Sequence, residues 1–227
     1  MTTMSKFIEY NDLSVQVYRR VKGMIINNEL KPGEKILQEK LAHDLGVSRM
    51  PLHKAFQRLE NELLVENIPR RGIFVRKINI PDIIDAFECR AGLEAMAARR
   101  AVMNAEAKDI QKLETIIRPY SEGNKFDHVD YLKLDQNFHE TIIHFSQNHL
   151  LKHLNEIGNV LIRSFLKGII LPIEESDYDH RKIIEAFKEK DAEKAASLIQ
   201  NHSLKARNML QENFRREKAN LISEKYT

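Results

Sequence analysis

Apolar residues recur every fourth position at Leu13, Val17, Val21 and Ile25, with Arg19, Arg20 and Lys22 outside the stripe. That spacing predicts an amphipathic helix with one buried face. Lys31-Pro32-Gly33 ends it with a strong turn signal. A shorter helix follows on Leu37, Leu41 and Leu45, closed by Gly46 as its C′ residue. Ser48 then stands as the N-cap of a third helix, which tolerates Pro51 in its first turn and buries Leu52, Phe56, Leu59 and Leu63. Beyond it the period changes to two. Residues 64–68 and 73–77 read as short strands around Pro69-Arg70-Arg71-Gly72, a hairpin with a basic tip.

From Pro81 onward the pattern is helical throughout, in six stretches over about 81–103, 105–120, 127–147, 150–170, 177–189 and 191–214. Asp127, Asp177 and Asp191 suit N-caps, and the short connections favour antiparallel neighbours. The polar tail from Phe214 is expected to fray. The fold class is therefore mainly α. A winged helix-turn-helix with a small β-hairpin wing fills residues 1–80, and an all-α six-helix bundle fills 81–227.

Composition changes this picture only where it is uneven. Apolar content of 42% and charged content of 30% are those of an ordinary globular protein. No run is long enough to span a membrane, and Met1-Thr2-Thr3-Met4-Ser5-Lys6 lacks an apolar signal core, so a cytoplasmic protein is expected. The single cysteine, Cys89, excludes an intrachain disulfide and a multi-thiolate metal site, and it reads as a small buried residue. Net charge divides sharply. Residues 1–80 hold 14 Lys/Arg and 9 Asp/Glu, net +5, whereas the remaining 22 and 24 give −2. Only the first part has the sign that suits a polyanion.

A helix-turn-helix docks its second helix in the major groove of double-stranded DNA. That places Ser48, Arg49, Met50, His53 and Lys54 toward the bases, with Arg70, Arg71 and Gly72 in the wing. A winged helix used for protein contact is the alternative. Pro32-Gly33-Glu34-Lys35-Ile36, Leu41-Ala42, Gly46-Val47-Ser48-Arg49-Met50-Pro51-Leu52, Arg58-Leu59-Glu60 and Pro69-Arg70-Arg71-Gly72 together resemble the DNA-binding domain of GntR-family bacterial regulators. The resemblance covers residues 12–77 and departs at His53-Lys54, where the family usually has Arg-Glu. The operator sequence therefore cannot be carried over.

In the second part, Asp135-Gln136-Asn137-Phe138-His139 sets a carboxylate and an imidazole four residues apart on one helix face. His180 opens a later helix and His202 lies inside the next, so consecutive antiparallel helices can present both to that face. Three imidazoles and a carboxylate make a candidate divalent metal site; a polar pocket without metal fits the same spacing. His139-Glu140 does not extend to a zinc-protease helix, because Ile143 occupies the position of the second His and His144 lies about 140° away around the helix. His149 and His153 read as a solvated pair.

Asp135 to His139, Asp179-His180-Arg181-Lys182-Ile183-Ile184-Glu185-Ala186-Phe187, Asp191-Ala192-Glu193-Lys194-Ala195-Ala196 and the late His202 resemble the FCD effector domain of FadR-like GntR regulators, in its six-helix VanR-like form. The resemblance implies that Asp135, His139, His180 and His202 hold a divalent metal and that a small carboxylate effector binds it. Zn, Ni, Mn and Fe all accept such a shell. It also implies a homodimer, and an effector-pairing role for Arg90, whose alternative is an intrahelical pair with Glu94. Arg163 is a weaker pocket candidate. The function expected is a transcriptional repressor that is not an enzyme. The rival is a metal-dependent hydrolase or oxygenase fused to a DNA-binding module. It lacks an assignable general base, since Glu140 points about 100° from His139.

Overall fold

The computed structural model describes residues 13–121, 128–165 and 171–225. Within it the first apolar stripe forms α1 (Leu13–Ile26), whose Val17, Tyr18, Val21 and Ile25 are buried. They pack on α3 (Arg49–Asn61), which buries Leu52, Ala55, Phe56 and Leu59. Between these helices lies α2 (Gln38–Asp44). Gly46 at φ +64° turns the chain away from α2, a conformation that costs a side-chain-bearing residue more. Glu62 (8% exposed) accepts hydrogen bonds from Tyr18 Oη at 2.6 Å and Lys22 Nζ at 2.7 Å, tying the end of α3 to α1.

The hairpin consists of β1 (Val65–Ile68) and β2 (Gly72–Val75), antiparallel, with Val65 opposite Val75 and Ile68 opposite Gly72. The segment after Pro32 covers the other edge of β2. Ile36 N–H donates to Ile73 O and Gly33 N–H to Val75 O, both at 2.8 Å, so that edge is not left open for pairing. One expectation fails here. Leu63 is 40% exposed at φ +59°, because α3 ends at Asn61 and the chain turns through Leu63 to reach β1.

The chain divides into two compact units, Met1–Ile78 and Asn79–Thr227. Among the described residues the second holds α4 (Ile80–Asn104), α5 (Ala107–Ser121), α6 (His128–Phe145), α7 (His149–Phe165), α8 (Ile173–Lys188) and α9 (Ala192–Lys225). The start of α4 is fixed by a capping box. Asn79 Oδ1 accepts from Asp82 N–H and Asp82 Oδ2 from Asn79 N–H, each at 2.9 Å, with Pro81 in the first turn. α4 is the centre of the unit, packing on α6, α7 and α9, while α5 packs on α6 and α8, and α8 on α9. Ala98, Ala101, Leu113, Phe138, Ile142, Ile183, Phe187 and Ile199 are buried in the core between them. No helix among the described residues is long and apolar enough to cross a membrane.

Three further readings change. α8 begins four residues before Asp177: Pro172 holds the N-cap position, Glu174 and Glu175 fill the acidic first turn, and Asp177 pairs with Arg181 at 2.8 Å instead of capping. α9 continues to Lys225 instead of fraying from Phe214, through a stretch free of Gly and Pro in which Arg216 and Glu212 pair at i,i+4. Cys89 is exposed, on the side of α4 opposite the buried Ala91, Glu94 and Ala98. Asp191 does cap α9, accepting from Lys194 N–H at 2.9 Å. Asp127 and the side chain of Arg163 lie outside the described residues.

Removing the capping box isolates its contribution. Asn79→Ala is expected to lower unfolding free energy by about 1 kcal/mol in urea titration, with helical content unchanged.

Candidate functional site

Four helices of the second unit bring polar side chains to one buried point. α6 supplies Asp135 and His139 from adjacent turns, α8 supplies His180, α9 supplies His202, and α4 supplies Arg90 and Glu94. His139 and His180 have no exposed surface and His202 has 5%. Asp135 Oδ1 lies 3.5 Å from His180 Nε2, 3.8 Å from His139 Nε2 and 4.0 Å from His202 Nε2. One ligand atom from each of the four falls within 4.8 Å of every other.

That geometry fits a cation. Donors about 2.1 Å from one ion stand roughly 3 to 4 Å apart, close to the separations here. They are too long for direct hydrogen bonds, so among the described residues His139 Nε2 and both nitrogens of His180 have no hydrogen-bond partner although buried. A buried nitrogen without a partner is costly unless something electrophilic meets it.

The surrounding shell fixes the rings. Glu94, fully buried, accepts from Arg90 Nε at 2.8 Å and from Ser203 Oγ at 3.1 Å, and it meets His139 Nδ1 at 2.8 Å. Burial alone would raise its pKa; the charges of Arg90 and His139 outweigh that and hold it at about 2. An ionised carboxylate only accepts, so His139 carries its proton on Nδ1 and turns the Nε2 lone pair to the cluster. Asp179 does the same for His202, meeting Nδ1 at 3.2 Å while Lys205 Nζ approaches its two oxygens at 2.8 and 2.9 Å. His180 is oriented by packing, its ring stacked on Phe138 with centroids 4.2 Å apart. Burial pushes the His139 and His180 pKa values down. Arg90 adds to this at His139, and the other two imidazoles and Arg90 add to it at His180.

Arg90 therefore makes the intrahelical pair with Glu94, and its Nη2 also comes to 4.0 Å from Asp135 Oδ2. Sequence reasoning missed Glu94 as the partner of His139, and it missed Asp179, Ser203 and Lys205. Asp179 adjoins His180 in the chain, but neighbours on a helix point about 100° apart, so it faces His202. His144, His149 and His153 are exposed and outside the cluster.

In the first unit, Ser48, Arg49, Met50, His53 and Lys54 are all exposed at the start of α3. Ser48 has N-cap backbone geometry, but its hydroxyl makes no cap bond. Arg49 Nη2 meets Glu39 Oε1 at 2.6 Å. At the hairpin tip Arg70 and Arg71 are exposed, Arg70 at φ +61° and Gly72 at φ +101°, and Arg71 lies over the Phe74 ring.

Residues 13–75 match the family described as bacterial regulatory proteins, gntR family, and residues 85–205 match the FCD domain. The HTH-type transcriptional regulator YdhC of Bacillus subtilis (strain 168) is 30% identical over 194 residues, 83% of this chain and 86% of that protein. A probable D-xylose utilization operon transcriptional repressor of Paenarthrobacter nicotinovorans is 25% identical over 206 residues, 89% and 90% of the two chains. The solved structure of McbR/YncC from E. coli shares the fold, with a TM-score of 0.66 at 22% identity over 89% of this chain and 98% of that one. The matched family and both relatives are regulators, which sets aside the hydrolase or oxygenase alternative.

The lowered imidazole pKa values fix a sign for acid sensitivity. His139 and His180 stay neutral in the fold at pH values where the unfolded chain, near 6.5, takes up protons, so stability falls as pH drops below about 6.5. Chelator-treated protein is expected to lose up to about 1.4 kcal/mol per pH unit for each imidazole kept neutral. Urea midpoints measured from pH 7.5 to 5.5 check this, and His180→Asn is expected to flatten the slope.

Proposed function

The chain belongs to the GntR family of bacterial regulatory proteins and carries an FCD domain, and from that premise we propose a cytoplasmic, homodimeric repressor whose helical unit binds a divalent transition metal and a small organic acid. The observation that carries this reading is the meeting of Asp135, His139, His180 and His202, with the buried Nε2 atoms of His139 and His180 near Asp135 Oδ1 and without a hydrogen-bond partner among the described residues. These four residues hold the metal, and the mixed nitrogen and oxygen set suits Zn, Ni, Mn or Fe. A bound ion supplies a positive, Lewis-acidic centre that attracts a carboxylate.

The protein's own groups do the rest. Glu94 and Asp179 hold His139 and His202 in the tautomer that offers Nε2. Arg90, locked through Nε by Glu94, keeps Nη2 near Asp135 and supplies a second positive group for the effector carboxylate. On the DNA side, Arg49 at the start of α3 reads a base edge, with Ser48, Met50, His53 and Lys54 around it. Arg70, Arg71 and the Gly72 turn carry the wing to the backbone. Two such units on a dimer read a pseudo-palindromic operator. An effector that favours the conformation with misplaced winged helices weakens repression by its differential binding, and a tenfold effect needs only about 1.4 kcal/mol.

Elemental analysis of untagged protein purified without chelator is expected to give close to one transition metal per chain, and little in His180→Ala. Metal in neither, even after reconstitution, would overturn the metal reading while leaving DNA binding untouched. For the DNA reading, Arg49→Ala is expected to weaken binding by roughly 1 to 3 kcal/mol to the duplex that the wild type enriches from a random pool, and to relax one base position. Arg71→Ala should weaken all duplexes alike and reduce the salt slope.

A further inference from the structure

Two neutral side chains near the four-residue cluster are buried with an unmet polar atom. Asn155 (3% exposed) leaves Oδ1, and Ser176 (1% exposed) leaves Oγ, without a hydrogen-bond partner among the described residues. Asp177 Oδ1 and Arg207 Nε share that condition, but their side chains are engaged elsewhere, with Arg181 at 2.8 Å and Glu88 at 2.9 Å. Asn155 and the buried Asn159 interrupt a stripe of α7 that is otherwise apolar, with Leu151 before them and Ile162 after.

Contacts between the helices place both groups at the height of Arg90. On α4, Leu93 and Ala97 pack with Leu151 of α7, and Ala86 O is the atom nearest to Gly158. Asn155 lies between Leu151 and Gly158 on α7, as Arg90 lies between Leu93 and Ala86 on α4. On the other side, Ser203 meets Glu94 at 3.1 Å and Arg207 meets Glu88 at 2.9 Å, which sets Ala206 of α9 at the same height. Glu175 meets Lys205 at 3.3 Å, which brings Ser176 there as well. Ser176 stands one turn from His180 on the same face of α8, roughly 6 Å along the axis. This is also the side from which the cluster is reached. Asp135 and Arg90 keep 19% and 10% of their side-chain surface, whereas the three imidazoles keep 6% or less.

The unmet atoms restrict what can lie there. A carboxamide oxygen only accepts, so a second carboxylate would leave Asn155 Oδ1 unsatisfied, and an alkyl chain would leave both groups so. An ammonium donates, but it would stand among the charges of Arg90 and a bound metal. A hydroxyl donates to Asn155 Oδ1 and accepts from Ser176 Oγ, and Ala206 offers only a methyl group to crowd it. We infer that the effector is a hydroxylated monocarboxylate, whose carboxylate meets the metal and Arg90 and whose hydroxyl, beyond the carbon next to the carboxylate, is held by Asn155 and Ser176. This rests on the metal and organic-acid reading above and gives that acid its chemical class.

The test is calorimetric titration of the full-length chain, reconstituted with Ni(II), with butanoate, 3-hydroxybutanoate, 4-hydroxybutanoate and succinate. One of the two hydroxy acids is expected to bind at least about tenfold more tightly than butanoate, and succinate no more tightly than butanoate. Asn155→Leu and Ser176→Ala are each expected to abolish that preference while butanoate affinity and metal content stay as in the wild type. Without ligand, Asn155→Leu should melt no lower than the wild type, because leucine is close in size and leaves no oxygen unmet. A lower melting temperature would make Asn155 structural and overturn its role. Butanoate or succinate bound as tightly as the hydroxy acids, or a preference that survives both variants, would overturn the inference and assign the unmet atoms to trapped water, with the metal and carboxylate reading left standing. Metal-loaded protein that binds none of the four acids would overturn the carboxylate reading and this inference with it.

Discussion

Glu94 has no contact with water, yet its place among a guanidinium, an imidazole and a hydroxyl keeps it ionised. An uncompensated carboxylate at that depth would cost several kcal/mol, so Arg90, His139 and Ser203 are as necessary to the fold as to the site. The partners come from α4, α6 and α9, which makes one buried charge the common reference for three helices. Its effect on His139 is directional, because an anion against Nδ1 leaves only Nε2 to face Asp135, His180 and His202. Its effect on Arg90 is equally directional, since a guanidinium gripped by Nε turns its remaining nitrogens toward the cluster. The polar centre is thus set by contacts that the helices themselves supply.

Much of this centre was legible in the sequence because helical spacing is a local rule. Asp135 and His139 had to share a face, and His180 and His202 were each placed by one helix and one short connection. The second layer was not legible. Nothing in the spacing of Glu94 distinguishes a partner of Arg90 from a partner of both Arg90 and His139, because the second contact spans 45 residues and depends on how α4 packs on α6. Asp179 was obscured by its neighbour His180, from which it points away.

The same division runs through the fold. The turn at Gly46, the hairpin at Gly72 and the cap at Asp191 follow from single residues with strong local preferences, and they stand where the pattern put them. Asp177 had the same credentials, but Pro172 offered an earlier start and the salt bridge to Arg181 took the carboxylate. Leu63 and Cys89 show the complementary failure. Periodicity says that a residue belongs to a face without saying whether the helix is still running or whether that face meets anything.

The ion pair between Arg49 and Glu39 bears on how such a protein would travel along DNA. Both side chains are about four-fifths exposed, at 81% and 82%, so the pair is worth no more than about 1 kcal/mol. An arginine that already holds a carboxylate gains little by exchanging it for a random phosphate. It gains more where a base edge offers it two acceptors at once. Glu39 therefore competes with the polyanion for the residue proposed to read it, and because the pair is given up at arbitrary and matched sites alike, visits to both shorten by up to about fivefold. A small loss of grip becomes a faster search.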